Sequence, residues 1–383
     1  MTSNKELIRK PLRVAIIGCG GMGGGHALAI ASGSGQAVWN AKTIEDCRVA
    51  PDADTTDISG LLELAGICDI NPVRQAWAAE KGIHVYESFE AELNDPTVDI
   101  ILIATPNHLH KDEAIAALRA GKHVLCEKPV TPTSAELLEI LAVAAETGKV
   151  FYPRQNRRWD KDYLICKQLY EQKTIGELFG IECRVMGSRG IPGDWRRVKA
   201  YGGGMLLDWG IHLLDRILVM VPEKVKDVYC HEYYEAGLEC DDGFQMQLTF
   251  ESGLTATLEV GTCHFINHPL WYVAGKQGTA VIEDWDCNGR IVRPLTVEER
   301  DAQPIVAGAG LTKTMAPRSE SGIVSVPLPE LHFDRNALYA NLVAVVRGEA
   351  EQIVTGEQAL RTLRVLEAAH ESASKGVVVA FNA

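Results

Sequence analysis

An apolar run that breaks into closely spaced glycines, Leu12 to Gly23 (LRVAIIGCGGMG), leaves this chain few ways to fold. Val14 to Ile17 offer no polar face, the pattern of a strand buried on both sides in a parallel sheet. A helix is expected directly after the turn, over His26 to Ala31. Gly18, Gly20 and Gly23, with Gly21 and Met22 between them, match a dinucleotide loop: one glycine for the tight turn, one for close approach of a pyrophosphate, one for helix packing on the strand. A helix N-terminus placed there turns amide hydrogens and a positive dipole end toward phosphate.

The alternation that such a loop opens continues for about 150 residues. A polar stretch, Gly33 to Ser59, reads as an insertion, and the strand Leu61 to Ile70 follows it. Asp69 ends that strand, where a carboxylate takes ribose hydroxyls and repels the extra phosphate of NADP; NAD is favoured. The interval from Gly23 is long for this role. Ile70 and Asn71 share the turn, Arg74 could attract a phosphate, and Asp69 could instead cap the helix beginning near Pro72. Strands are expected at His84 to Tyr86, Asp99 to Ala104, His123 to Cys126 and Val150 to Tyr152, six in all with the first two, with helices between. Two strand ends carry polar residues where ligands sit in such sheets: Thr105, Pro106, Asn107 and His110 after the fourth strand, Glu127 and Lys128 after the fifth.

Beyond Pro153 longer strands succeed one another, at Gly180 to Met186, Phe244 to Phe250, Leu254 to Gly261, Trp271 to Val273 and Thr279 to Glu283. They imply a second, largely antiparallel open sheet. The chain is therefore read as α/β, with a Rossmann doubly wound domain over 1–152 and an α+β domain over 153–383. Residues 300–328 read as an extended loop, and helices at Asn336 to Arg347 and Gly356 to Ser374 close the chain.

The formal charge of −13 disfavours nucleic acid and anionic membrane as partners. No apolar run reaches the roughly 20 residues of a membrane span, and the polar start lacks a secretory apolar core. Ten cysteines without a CxxC pair read as reduced thiols. A cytoplasmic protein with a small-molecule substrate is expected.

Tyr201 to His212, YGGGMLLDWGIH, holds Asp208 and His212 four residues apart, on one face of a helix. Near a glycine-opened cavity this suits proton transfer, with the imidazole taking a hydroxyl proton. The same spacing also serves merely to stabilise a helix, and Lys128 could be a surface lysine. His264 and His268 would be needed for a zinc site; nothing in the spacing joins them to Asp208 and His212, and no metal is expected. Arg154, Asn156, Arg157, Asp194, Trp195 and Arg196 lie in segments that could hydrogen-bond and stack a neutral polyol.

GCGGMG, the acidic strand end at Asp69, TPNHLH, EKP, NRRW at Asn156 to Trp159 and GGGMLLDWGIH together resemble the glucose-fructose oxidoreductase, inositol dehydrogenase and rhizopine-catabolism (Gfo/Idh/MocA) family, in order and over nearly the whole chain. The resemblance implies a nicotinamide-dependent oxidoreductase acting on a sugar, cyclitol or glycoside hydroxyl. It matches Lys128, Asp208 and His212 to catalytic positions, with His212 the general base and Lys128 bonding the reacting oxygen. It also places Thr105, Asn107, His110, Glu127 and Arg158 along the cofactor. An enzyme that holds and recycles NAD, as a glycosidase or epimerase does through a transient keto-sugar, shares these motifs, and a ligand-binding protein that lost catalysis shares the fold. The polar face of the second sheet, Gln245, Gln247, Thr249, Thr255, Thr257 and Glu259, is read as largely uncharged and as the contact of a homodimer or homotetramer, a mode the resemblance also implies.

Overall fold

The computed structural model describes residues 10–33, 36–38, 48–50, 55–296, 304–313 and 318–381. Five parallel strands, β1 (Leu12–Ile17), β2 (Leu62–Cys68), β3 (Ile100–Ile103), β4 (His123–Cys126) and β5 (Phe151–Pro153), lie in the order β2-β1-β3-β4-β5. The expected sixth strand is a correction. His84 to Tyr86 forms only a bridge, Val85 to Ile67, because the segment is cut short by Gly82 and by Ser88, which caps the next helix. The glycine run is itself helical: α1 spans Gly21–Ser32 rather than starting at His26.

Alternate residues of these strands serve opposite faces. Val14, Ile16, Ile100 and Leu102 pack with α1, α2 (Pro72–Glu80) and, from the far end of the chain, Leu338, Tyr339 and Leu342. Ala15, Ile17, Ile101 and Ile103 pack beneath two further helices. Between α2 and these lies α3 (Phe89–Asn94); the covering pair is α4 (His110–Arg119) and α5 (Ser134–Thr147). Double burial explains why the strands read as unbroken apolar runs.

The second sheet has nine strands: β6 (Leu178–Met186), β7 (Val225–Tyr233), β8 (Gly243–Phe250), β9 (Thr255–Gly261), β10 (Trp271–Gly275), β11 (Gly278–Ile282), β12 (Gly289–Pro294), β13 (Ile323–Val326) and β14 (Val379–Ala380). Their order is β13-β12-β11-β10-β6-β9-β8-β7-β14, with β6 and β9 the parallel pair. Phe244, Met246, Leu248, Ala256 and Leu258 turn inward onto α6 (Lys161–Glu171), α7 (Ile211–Met220) and α9 (Gly356–Lys375). The late helix on the first sheet is α8 (Ala337–Val346).

Two expectations change here. The stretch read as a loop holds a small hairpin, Ile305–Gly308 with Leu311–Lys313, and β13 on the sheet edge. The outward face is not largely uncharged, since Arg184 reaches both Glu182 and Glu259 and leaves Glu259 buried among its neighbours. Within the insertion, Gln36–Val38 and Arg48–Ala50 pair antiparallel, while 34–35, 39–47 and 51–54 lie outside the described residues. No helix among the described residues is long and apolar enough to cross a membrane.

Candidate active site

The carboxyl ends of β1, β2, β3 and β4 converge on one edge. Gly18 has φ 87° and would drive a Cβ to within 2.7 Å of the Ala104 carbonyl; a Cβ on Gly23 would meet Gly18 O. These two glycines are required by the protein's own backbone. At Gly20 a Cβ would meet nothing within 4 Å, so the backbone there is open to a ligand, as a pyrophosphate cradle requires. Met22 stands partly exposed on the first turn of α1.

Asp69 reaches across to this loop. Its Oδ2 accepts from the Cys19 amide at 2.6 Å and its Oδ1 from Asn71 N at 2.7 Å. The cap of α2 is Asn71, whose side chain accepts from Val73 N, so Asp69 is not the capping residue. Ile70 is fully exposed beside it, and Arg74 lies on the first turn of α2.

The β3 end is braced from within. Asn107 Nδ2 donates to Gly202 O at 2.9 Å, and the ring nitrogens of buried His110 lie 2.9 and 2.8 Å from the carbonyl oxygens of Pro129 and Thr105. Thr105 donates to Glu113. His110 thus holds the loops after β3 and β4 in register and Asn107 ties the first of them to Gly202, with Pro106, just before Asn107, in extended conformation.

After β4, Glu127 is buried and accepts from Arg154 at 2.7 Å and His26 Nε2 at 2.8 Å; His26 Nδ1 takes the Tyr339 hydroxyl. Burial pushes the Glu127 acid up, but the Arg154 charge and the His26 bond outweigh it and hold the group at about 2. His26, buried and beside Arg154, is held below its ordinary range and stays neutral. Arg154, expected to meet substrate, is committed to Glu127. This network fixes the chain just where Lys128 leaves it.

Lys128 Nζ donates to Asp208 Oδ1 at 2.7 Å and to Asp208 O at 2.8 Å. Arg196 Nε adds 3.2 Å to Oδ2, and Asp194 holds Arg196 at 2.7 Å beside the ring of Trp195. The Asp208 carboxyl, though burial raises it, is held ionised by these two cations. Asp208 lies in a wide π-type turn, Leu206–Gly210, that runs into α7. The turn starts where it does because Gly204, with φ 104°, lets Asp241 come close enough to accept from Leu206 N at 2.7 Å; a Cβ on Gly204 would lie 2.1 Å from Asp241 Oδ1. Burial lifts Asp241 to about 7.

His212 opens α7, 5% exposed, with Nδ1 unpartnered. Burial first, then the charges of Lys128, Arg157, Arg216 and Arg154, push its pKa well below 6.5. The ring is therefore neutral, and one of its two nitrogens carries a lone pair. Asp208 therefore orients Lys128, not His212, which corrects the expected pairing along one helix face.

Arg158, expected along the cofactor, has its guanidinium buried against Asp215 at 2.6 and 2.8 Å and bonds Gln358 and Ile353 O, tying α7 to the start of α9. Arg157 is bound to Asp160 at 2.9 Å and lies over Trp209, while Asn156 is half-buried in the same short turn. His26, Tyr339, Asp241 and Trp209 escaped the sequence reading; only Trp209, between Asp208 and His212, lay inside a recognised motif. Among the described residues no three His, Cys, Asp or Glu side chains gather as metal ligands.

Residues 12–155 match an oxidoreductase family with an NAD-binding Rossmann fold, and residues 163–281 match the Gfo/Idh/MocA C-terminal domain. A solved NAD-binding protein from Listeria innocua is 44% identical and superposes with a TM-score of 0.81 over 97% of each chain. The scyllo-inositol 2-dehydrogenase (NADP(+)) of Bacillus subtilis is 26% identical over 294 residues, 76% of this chain and 81% of that protein. The D-glucoside 3-dehydrogenase of Escherichia coli is 32% identical over 186 residues, 46% of this chain and 52% of the other. The chain belongs to the Gfo/Idh/MocA family of oxidoreductases.

Proposed function

We propose that this protein is an NAD-dependent dehydrogenase of a polyhydroxylated substrate, a sugar, cyclitol or glycoside, oxidised at a secondary hydroxyl. The observation that carries the reading is the Lys128–Asp208 ion pair, set at a strand end beside a neutral, buried His212 whose Nδ1 has no hydrogen-bond partner. Bound nicotinamide would supply the two-electron chemistry, taking the hydride from the carbinol carbon. The protein's part is the proton and the charge: His212 accepts the hydroxyl proton, and the Lys128 cation stabilises alkoxide character on the oxygen that loses it. Asp208 keeps that ammonium aimed. The test is cofactor reduction across hexoses, inositols, sugar acids and glycosides; no turnover with any of them overturns the reading.

Gly18, Gly20 to Gly23 and Asp69 would hold the pyrophosphate and adenosine ribose. With its carboxylate beside the glycine loop, Asp69 would repel a ribose phosphate, so NAD is expected to exceed NADP in kcat/KM by about tenfold or more, one such factor corresponding to about 1.4 kcal/mol. Asp69→Ser should erase most of that preference. Wild-type protein that uses both cofactors equally would refute the NAD assignment, a live comparison since the Bacillus subtilis relative is named for NADP.

The outward face of the second sheet, with Tyr229 and Tyr272 exposed on it, is the proposed contact of a homodimer or dimer of dimers. Light scattering at micromolar concentration should give a multiple of the 41.8 kDa chain mass, and the mass of a single chain would overturn it.

A further inference from the structure

Beside His212 stands an aromatic wedge that proton transfer does not use. Trp209 lies edge-on to His212 with ring centroids 6.0 Å apart, and Trp285 lies 6.0 Å beyond Trp209, tilted by 47°. The Arg157 guanidinium carbon bridges the two, 4.4 Å from the Trp209 centroid and 5.5 Å from that of Trp285. Its Nε is buried without a partner.

The loop between β11 and β12 that presents Trp285 is firmly built. Asp284 accepts from the Asp286 and Asn288 amides, both at 3.1 Å, and from Asn288 Nδ2 at 2.8 Å; Glu283 N bonds Asn288 O at 2.7 Å. Yet Trp285 is left 52% exposed. A large aromatic held by a cation and a closed turn, but with half its surface open, keeps a face for something other than this chain. The C–H faces of sugar rings and the faces of aryl rings both stack on indole. A single sugar whose reacting hydroxyl meets Lys128 and His212 has Trp209 at its border, whereas Trp285 lies one ring further out.

We propose that Trp285, with Trp209 and Arg157, is a subsite for a second six-membered ring, so that the substrate is a two-ring glycoside whose attached ring, glycosyl or aryl, stacks there. This rests on the sugar-oxidoreductase reading above. The test compares glucose with cellobiose, maltose and phenyl glucoside in wild-type, Trp285→Ala and Trp285→Tyr protein. Trp285→Ala should raise KM for the two-ring probes about tenfold, the scale of one aromatic stacking contact, with kcat and the KM for glucose unchanged; Trp285→Tyr should restore most of the loss. An equal rise for glucose, or no rise for any two-ring probe, overturns the proposal. Calorimetric titration gives a readout that needs no turnover. Two-ring binding lost in Trp285→Ala and kept in Trp285→Tyr supports the subsite even if no sugar is oxidised, an outcome that would refute only the dehydrogenase reading. Binding indifferent to Trp285, or absent for every two-ring probe, refutes the subsite. Preference for cellobiose or maltose over phenyl glucoside identifies the ring as glycosyl, and the reverse as aryl.

Discussion

Lys128→Ala is expected to lower kcat by about a thousandfold while leaving NAD binding within a few fold of wild type, since removal of one preorganised charge from a developing oxyanion costs effects of this order. The geometry sets the size. Lys128 Nζ is held at 2.7 and 2.8 Å by a single residue, Asp208, whose other oxygen is taken by Arg196, so the ammonium has little freedom to drift from the reacting oxygen. Its loss leaves the Asp208 carboxylate with Arg196 alone, and some destabilisation should accompany the change. Thermal melting of the variant, together with Lys128→Arg, separates the effects: the arginine keeps the charge and the fold but not the point-like geometry, and should recover only part of kcat. A Lys128→Ala protein that keeps kcat within threefold of wild type would remove Lys128 from the reaction.

The parallel strands were legible because burial on both faces writes itself as continuous apolar sequence. The second sheet was less so. β7, with Lys226, Asp227, His231 and Glu232 among its residues, turns one face outward and carries charges that obscure its alternation. β13 is four residues long and pairs with β12 nearly thirty residues earlier, a contact no local pattern announces. The α8 helix was legible but its packing was not, since Leu338 and Tyr339 close a sheet begun more than 300 residues before. At the site, residue types were legible and partners were not. Asp208 and His212 are four apart, but the π-type turn and the approach of Lys128 from another strand end decide that Asp208 serves the lysine. Arg157 and Arg158 are neighbours in sequence; one lies beside two tryptophans and the other vanishes into an ion pair with Asp215, a division that the short turn holding both makes and the letters do not.

His212→Asn is expected to cost about a hundredfold to ten-thousandfold in kcat, the range of a positioned general base, and the wild-type pH profile should carry the signature of its environment. Burial and the facing charges of Lys128, Arg157, Arg216 and Arg154 hold the imidazole well below 6.5; the Asp208 carboxylate does not offset them, because it is spent on Lys128 and Arg196. The base form therefore persists as pH falls, and kcat/KM should stay flat through pH 6.5, with its acid limb displaced below that value. Stability runs by the same sign. The folded state refuses a proton that the unfolded chain takes up near 6.5, so His212 lowers stability as pH drops below that value, and the buried His26 and His110, held down by burial as well, add to the loss. Melting curves recorded at each pH distinguish unfolding from titration of the base: between pH 6.5 and the onset of melting, activity should remain level in the wild type. An acid limb centred at or above pH 6.5 in protein that is still folded would mean that His212 is not the group that accepts the proton.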